Sequence, residues 1–552
     1  MPQTMLAEIE VKVGGTPFGD EELARLLEVR LKDNLMLPDS FLLRVADPTF
    51  SWIDTKFFDI GKEVEISLGG PDARRTNPVF KGQITSLEPE FGAAGIVLVV
   101  RGYDQSHALN RTKHTETYQN VTSSDIAKKV AQRAGLTTGQ VDDSGPSPPH
   151  AFVQQNNETD WEFLWRLARK HDFEVVVHDK TLDFRKAGGP RGYTTLKLRW
   201  GEELLAFRPR VTGVQQVKEV RVRGWDPGSK DVIEATADVE QLGSEIGIKR
   251  DEVVDGLGGG TVIIPDAPVA SAGEAEELAK SIASQFAQSY LEAEGVCLGD
   301  ARILAGTKLE IEGVGKRFSG TYECSSTTHV FRGGKGYETH FAVTGRTSRT
   351  LIDLMTPAKK NGWASSLVIG VVTQNDDPED LGRVRVKYPP LAEDAEGWWA
   401  RIASPAAGQD RGLLMMPVVG DEVLVGFEHG DARRPYVIGA LWNAKATPGD
   451  LVQKDGSFAL QADKRVLVTS KDAISITAAD DIKIESDKTI SQKATKSGDV
   501  VLEAAGGKVT LKGATSVTIE GGTEVTIKVP GGSIGLKAGG IVQVSGTQIM
   551  LG

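Results

Sequence analysis

Apolar and polar residues alternate in short runs through about the first 350 residues. Phe41 to Val45 and Ile96 to Val100 read as strands bounded by Gly, Pro and Asp. Three stretches change to a spacing of three and four. The first follows Ser123-Ser124-Asp125, which offers N-caps, sets Ile126, Val130 and Ala134 on one face and stops at Gly135. The second opens at Thr159-Asp160 and carries Trp161, Leu164, Trp165 and Ala168. The third is predicted from Ala272 to about Glu294, with Ala275, Leu278, Ile282 and Phe286 in step. Strands with an α/β insert at about 111–200 are the reading for this part. The proline-rich stretch Asp143 to His150 and the run Met355 to Gly362 oppose regular structure and read as linkers.

Residues 366–445 alternate more densely, in Leu367 to Val372, Gly382 to Tyr388 and Asp421 to Phe427. Five or so short strands in about 80 residues suit a small closed barrel of the OB type. The pattern then changes again, into apolar pairs two residues apart. These are Phe458/Leu460, Val466/Val468, Ile474/Ile476, Ile482/Ile484, Ile490 with Gln492, Val500/Leu502, Val509/Leu511, Val517/Ile519, Val525/Ile527, Ile534/Leu536, Val542/Val544 and Ile549/Leu551. Successive first members are mostly eight residues apart, with slips to nine or ten and a last step of seven. A spacing of two is a strand with one face inward, and the Gly-rich steps between pairs are tight turns. Pro530, the only proline in this stretch, coincides with a slip.

Eight residues cannot enclose a core. Either one chain winds three octads into each triangular coil, or three chains wrap a common axis and each supplies one side per layer. A short single-chain coil leaves strand edges open, so the intertwined trimer is the favoured reading of 456–552. It places Val466, Val468, Ile474, Ile476, Ile482, Ile484, Val509, Leu511, Val517, Ile519, Val525, Ile527, Ile534, Leu536, Val542 and Val544 at the trimer axis.

Composition narrows the chemistry. No window approaches the roughly 18 apolar residues of a membrane span. Met1 to Val13 has neither a basic n-region nor an apolar h-region, so manufacture in the cytoplasm without a Sec-type leader is expected. A formal net charge of −12 argues against broad nucleic-acid binding. Cys297 and Cys324 are the only cysteines, which fits two buried thiols and excludes a disulfide scaffold. No histidine follows His429, which removes the usual general base and metal ligand from the octads.

Residues 382–443 carry the most specific pattern. It runs Gly382-Arg383-Val384-Arg385-Val386, then Trp399-Ala400-Arg401-Ile402-Ala403-Ser404-Pro405, then Gly412 to Asp431 (GLLMMPVVGDEVLVGFEHGD), and closes with Arg433 to Trp442 (RRPYVIGALW). In order and spacing this resembles the OB domain of VgrG and phage baseplate spike proteins. Upstream, Pro38-Asp39-Ser40-Phe41, Arg101-Gly102-Tyr103-Asp104 with His107-Ala108-Leu109, and Gln154 to Leu164 resemble the hub half of that family. The resemblance covers nearly the whole chain, as a hub over 1–355, an OB domain over 366–445 and a needle over 456–552. It implies a mainly β fold with α/β insertions: two tube-like barrel units in the hub, an OB-fold barrel and an intertwined trimeric β-helix. It also implies a trimeric central spike of a contractile injection system, adapting a sixfold tail tube to a threefold membrane-puncturing needle. The implied partners are two further copies of the chain, an Hcp-like tail-tube ring, baseplate proteins, a PAAR-repeat tip protein and effector cargo, with no nucleic acid. A blunt trimer end would expose strand edges, and the tip protein is expected on Gly546, Thr547, Gln548, Ile549, Met550, Leu551 and Gly552. An extracellular phage-tail-like particle, delivered to or through a target envelope, is the expected setting.

Chemical motifs are few. Gly531-Gly532-Ser533-Ile534-Gly535 matches G-x-S-x-G but has no histidine after it. Gly256 to Thr261 is a glycine-rich loop without the Lys-Ser/Thr ending of a phosphate loop. His429-Gly430-Asp431 reads as a hairpin turn. Of Trp398-Trp399, one ring is expected in the barrel core and the other against the hub or a neighbouring subunit. T-even phage relatives insert a lysozyme between barrel and needle, where this chain has only Asn443 to Ser457. A non-enzyme with no cofactor and no metal is therefore expected. The alternatives are a spike with cell-wall glycan hydrolase activity and a single-chain β-solenoid adhesin.

Overall fold

Strands of alternating burial assemble because one face of each is apolar. Val29 and Leu31, Leu43 and Val45, and Val64 and Ile66 are buried in this way. The computed structural model describes residues 9–69, 76–93, 95–144, 150–187, 195–214, 216–226, 229–265, 269, 271–345, 366–389, 396–452, 457–495, 498–537 and 539–550. They fall into two units, Met1–Asp450 and Leu451–Gly552.

In the first unit an eleven-stranded antiparallel sheet forms the frame. Its order is Leu204–Val211, Leu291–Leu298, Gly336–Val343, Ser326–Arg332, Leu26–Asn34, Ser40–Ala46, Gly95–Tyr103, Thr76–Gly92, Glu63–Gly69, Ile9–Val13 and Thr16–Pro17. The seam that joins early strands to late ones is Ser326–Arg332 on Leu26–Asn34, with His329 opposite Leu31. Two cores lie along the sheet. One gathers Val29, Leu43, Ile66 and Phe58, and the other Tyr290, Tyr322, Cys297 and Cys324. Both cysteines are buried free thiols, and burial pushes their pKa up.

The α/β insert is an antiparallel pair of Lys113–Val121 with His150–Thr159, a three-stranded sheet and two helices. The helix Ser123–Arg133 is capped not by Ser123, Ser124 or Asp125, which form its first turn, but one residue earlier by Thr122, whose side chain accepts from the amide of Asp125. The helix Asp160–Ala168 starts in a capping box between Thr159 and Glu162. Their apolar faces, Ile126 and Val130 with Phe163, Leu164 and Leu167, meet in one core.

The third helix runs Ala272–Gln288, not to Glu294. From Leu291 the chain is a strand of the large sheet. The helix lies on a small sheet of Asp231–Asp238, Glu219–Asp226 and Thr261–Ile264. Ala275, Ala279, Ala283 and Ala287, four apart, form its buried stripe.

The OB region is a five-stranded sheet in the order Arg385–Lys387, Val368–Gln374, Glu422–Phe427, Pro435–Ala440 and Arg401–Ile402. A bridge from Val384 to Ala400 joins its two ends and closes the barrel. Val372, Val384, Val386, Tyr388, Val423 and Val425 fill it. No helix among the described residues is long and apolar enough to cross a membrane.

In the second unit the described residues carry bends at Asp463-Lys464, Lys471-Asp472, Ala479-Asp480, Asp487-Lys488, Ala514-Thr515, Gly522-Thr523 and Gly539-Gly540. These sit between the apolar pairs and share their period. No strand pairing occurs among the described residues of this unit.

Candidate functional site

The octad positions form one continuous feature. From Val466/Val468 to Val542/Val544 every apolar pair is exposed in the single chain, the first member about half and the second more. Val517 is 53% exposed and Ile519 64%, while Val525 is 51% and Ile527 66%. Burying one such side chain gains about 1.5–3 kcal/mol. A row of them left in water marks a surface made to be covered. Of the seven residues expected to hold a tip protein, Gly546 to Met550 are described, with Ile549 and Met550 exposed. Leu551 and Gly552 lie outside the described residues.

The first unit has an exposed apolar segment of its own. Leu413, Leu414, Met415, Val418 and Val419 follow the short hairpin Ala407–Gly408 with Arg411–Gly412 and are all largely exposed. The Trp398-Trp399 expectation is met only in part. Trp398 sits 6.1 Å from Phe152 of the insert, against the hub. Trp399 is not in the barrel core, where Ala400 and Tyr388 are. Its ring carries the guanidinium groups of Arg383 and Arg385 at 5.8 and 6.0 Å.

His429-Gly430-Asp431 is a turn, with His429 at φ 51°. The charged residues after it reach the hub. Arg433 donates to Asp431 at 2.9 Å and to Glu274 of the Ala272 helix at 2.8 Å. Arg434 donates to the Trp225 carbonyl at 3.2 Å and to that of Val269. Burial opposes the Arg433 charge, but Asp431 and Glu274 hold its pKa up.

On the insert side of this contact lies a polar cluster. The Ser123 hydroxyl is 2.8 Å from His150 Nε2 and 3.0 Å from His171 Nε2. His171 Nδ1 is 3.3 Å from the Glu277 carboxylate, off the line of a good hydrogen bond. Lys170 lies 3.8 Å from Glu274. Ser281 donates to the Arg169 carbonyl and Ser284 to Asp172 at 3.1 Å. Glu274, Glu277, Ser281 and Ser284 thus form a polar stripe facing the insert, while the alanine stripe faces the small sheet. Burial pulls His150 down to about 4, with Lys170 and Arg433 adding to it. Burial also lowers His171, against the pull of Glu277. Lys170 is lowered to about 8 by burial and by Arg433.

Serine, histidine and glutamate in this order are the parts of a nucleophile triad. Ser123, however, has no exposed surface, so no substrate carbonyl can reach its oxygen. Sequence reading missed this cluster because its members come from positions 123, 150, 171, 277 and 433, with no motif spacing among them. Gly531 to Gly535 lies at a turn between two octads, with Gly531 at φ 73°, and not at a strand-to-helix elbow. Gly256 to Thr261 leads from the helix Arg250–Gly256 into the strand Thr261–Ile264, the reverse of the strand–loop–helix order that cradles phosphate. Among the described residues no cluster of His, Cys, Asp and Glu could hold a metal ion.

Two families match the sequence. The one described as the Alg8 N-terminal domain covers residues 36–332, more than half of the chain. The one described as the type VI secretion system/phage-baseplate injector OB domain covers 368–442. The type VI secretion system spike protein VgrG5 of Pseudomonas aeruginosa is 30% identical over 135 residues, 23% of this chain and 17% of its own. Spike protein VgrG3 of Vibrio cholerae is 30% identical over 91 residues, 16% of this chain and 9% of its own. The chain thus spans under a fifth of the length of these curated relatives. Among solved structures, a component of the E. coli type VI secretion system aligns over 78% of this chain and 99% of its own, at 15% identity and a TM-score of 0.49. A tail protein of prophage MuSo2 from Shewanella oneidensis aligns over 61% of this chain and 98% of its own, at 17% identity and a TM-score of 0.48. With an OB barrel that matches the injector family and type VI spike proteins among its relatives, the chain belongs to the VgrG and phage-baseplate hub–spike family.

Proposed function

We propose that the chain is the central spike of a contractile injection system and works as a homotrimer. Three copies wrap residues 456–552 into one needle, and the hub above presents a sixfold-like ring to the tail tube. The observation that carries this is the octad row. Apolar pairs and bends share one period, the pairs are exposed, and the described residues form no ladder within the chain. A coil wound from one chain would pair its own layers, whereas three chains bury every pair and satisfy the backbone between them. The exposed Leu413 to Val419 segment is a second apolar surface that neighbouring copies could cover. The implied partners are an Hcp-like tube ring, baseplate proteins and a PAAR-repeat tip protein on Gly546 to Gly552, with effector cargo carried by the particle. The role is mechanical: the chain passes force from the tube to the needle and does no chemistry on the envelope. Light scattering on the purified protein tests the core of this reading. A mass of about 178 kDa, three copies of the 59.3 kDa chain, is expected. A monomer at micromolar concentration would overturn it.

A further inference from the structure

The cluster around Ser123 joins three parts of the first unit. Ser123, His150, Lys170 and His171 belong to the insert. Glu274 and Glu277 belong to the Ala272 helix. Asp431 and Arg433 belong to the OB turn. Its hydrogen bonding is constrained, because the Ser123 hydroxyl has one proton and two imidazole neighbours. In the neutral arrangement His171 Nδ1–H faces Glu277, so its Nε2 accepts from Ser123. His150 Nε2–H then donates to the same hydroxyl oxygen.

An added proton breaks this arrangement. A proton on His171 Nε2 turns the acceptor into a donor, and the buried Ser123 hydroxyl proton then keeps a partner only if His150 gives up its own Nε2 proton. A proton on His150 places a cation in a pocket already facing Lys170, Arg433 and His171, with Glu274 opposing them. His171 faces Glu277, Glu274 and Lys170. Arg166, also near Lys170, is held by Glu158. The proton is better accommodated when the faces part and water enters.

We propose that this junction is an acid-sensitive latch, which holds the OB barrel against the hub insert at neutral pH and releases it on acidification. Lys170 and Arg433 both reach Glu274 from opposite sides of the insert–barrel boundary, so charge added at His150 raises the repulsion between the two faces there. The Trp398–Phe152 contact lies on the same strand as His150 and parts with it. The inference does not rest on the spike reading.

The sign follows from linkage. Both histidines sit below their ordinary value when the junction is closed. The open state therefore binds protons more readily, and closure weakens as pH falls from about 6.5 toward 4. Hydrogen exchange by mass spectrometry on the full-length protein tests it. Protection factors, which divide out the intrinsic pH dependence of exchange, are compared at pH 7.5 and 5.0. Peptides covering 150–159 and 428–436 should lose protection on the order of tenfold, while Leu26 to Ala46 in the large sheet keeps its own. His150→Gln retains a donor toward Ser123 and should cut the loss to the share that His171 supplies. Lys170→Gln alters a side chain that keeps 29% of its surface, so it tests the idea without threatening the fold. It leaves both histidines in place but removes one opposing charge, and should shrink the loss. An equal loss in wild type and both variants, or a matching loss in the large sheet, would overturn the proposal.

Discussion

Asp377 shows how much one side chain can organise. Its carboxylate accepts from the amides of Glu379, Leu381 and Arg383, and from the Arg383 guanidinium at 2.7 and 2.9 Å. The same guanidinium lies over the Trp399 ring. Arg383 and the amide bonds hold the Asp377 pKa at about 2. That is below its unfolded value near 3.9. Its stabilisation is therefore present above pH 4 and lost as pH falls through about 2. Asp377→Asn should cost about 2–4 kcal/mol, because it strips Arg383 of a nearly buried partner. Urea denaturation near pH 7 should show the loss, and the gap between wild type and variant should close below pH 3. At the octads the contrast is between neighbours. Val517→Asp puts three unpartnered charges on the proposed axis, at several kcal/mol each, while Thr518→Asp faces water and should be nearly silent. Equal melting temperatures for the two variants would refute the assigned register.

Helices show where a pattern speaks clearly and where it does not. The helices at Ser123 and Asp160 were legible because each has an oxygen-bearing N-cap ahead of apolar residues in step. The end of the Ala272 helix was not. No glycine or proline closes it, and the alternation of Leu291, Ala293, Gly295 and Cys297 begins after Ser289-Tyr290, so a period of two is mistaken for a continued helix. The role of its alanines was also hidden, since Leu278, Ile282 and Phe286 dominate the apolar pattern but are only partly buried. The alanines let the backbone approach the small sheet closely. Ala279→Leu should therefore overpack that contact and cost about 1–3 kcal/mol, whereas Lys280→Ala on the exposed side should cost under half a kcal/mol. Thermal denaturation of the two variants separates these effects. The octads were legible because repetition multiplies a weak signal, and the bends fall at the period of the pairs. The Ser123 cluster was not legible, since only the fold brings its residues together.

At the scale of the whole molecule, the two units place different demands on assembly. The first unit buries five apolar cores within one chain and should fold whether or not it meets another copy. The second leaves its apolar pairs exposed and can gain their burial only from something outside itself. Trimer stability should therefore reside chiefly in residues beyond Asp450. Expressing residues 1–450 is expected to give a folded protein with unchanged far-UV signal per residue for the large sheet. Its self-association should be weaker by at least tenfold in dissociation constant, since the apolar area lost is worth several kcal/mol even after the entropy of ordering three chains. Contacts between hubs and the exposed Leu413 to Val419 segment would then account for what association remains, and Met415→Asp in the shortened protein should reduce it further. Light scattering across a dilution series reads both effects. A shortened protein that stays as tightly trimeric as the full chain would show that the hub and barrel drive assembly, with the octads wrapping only after the copies have met.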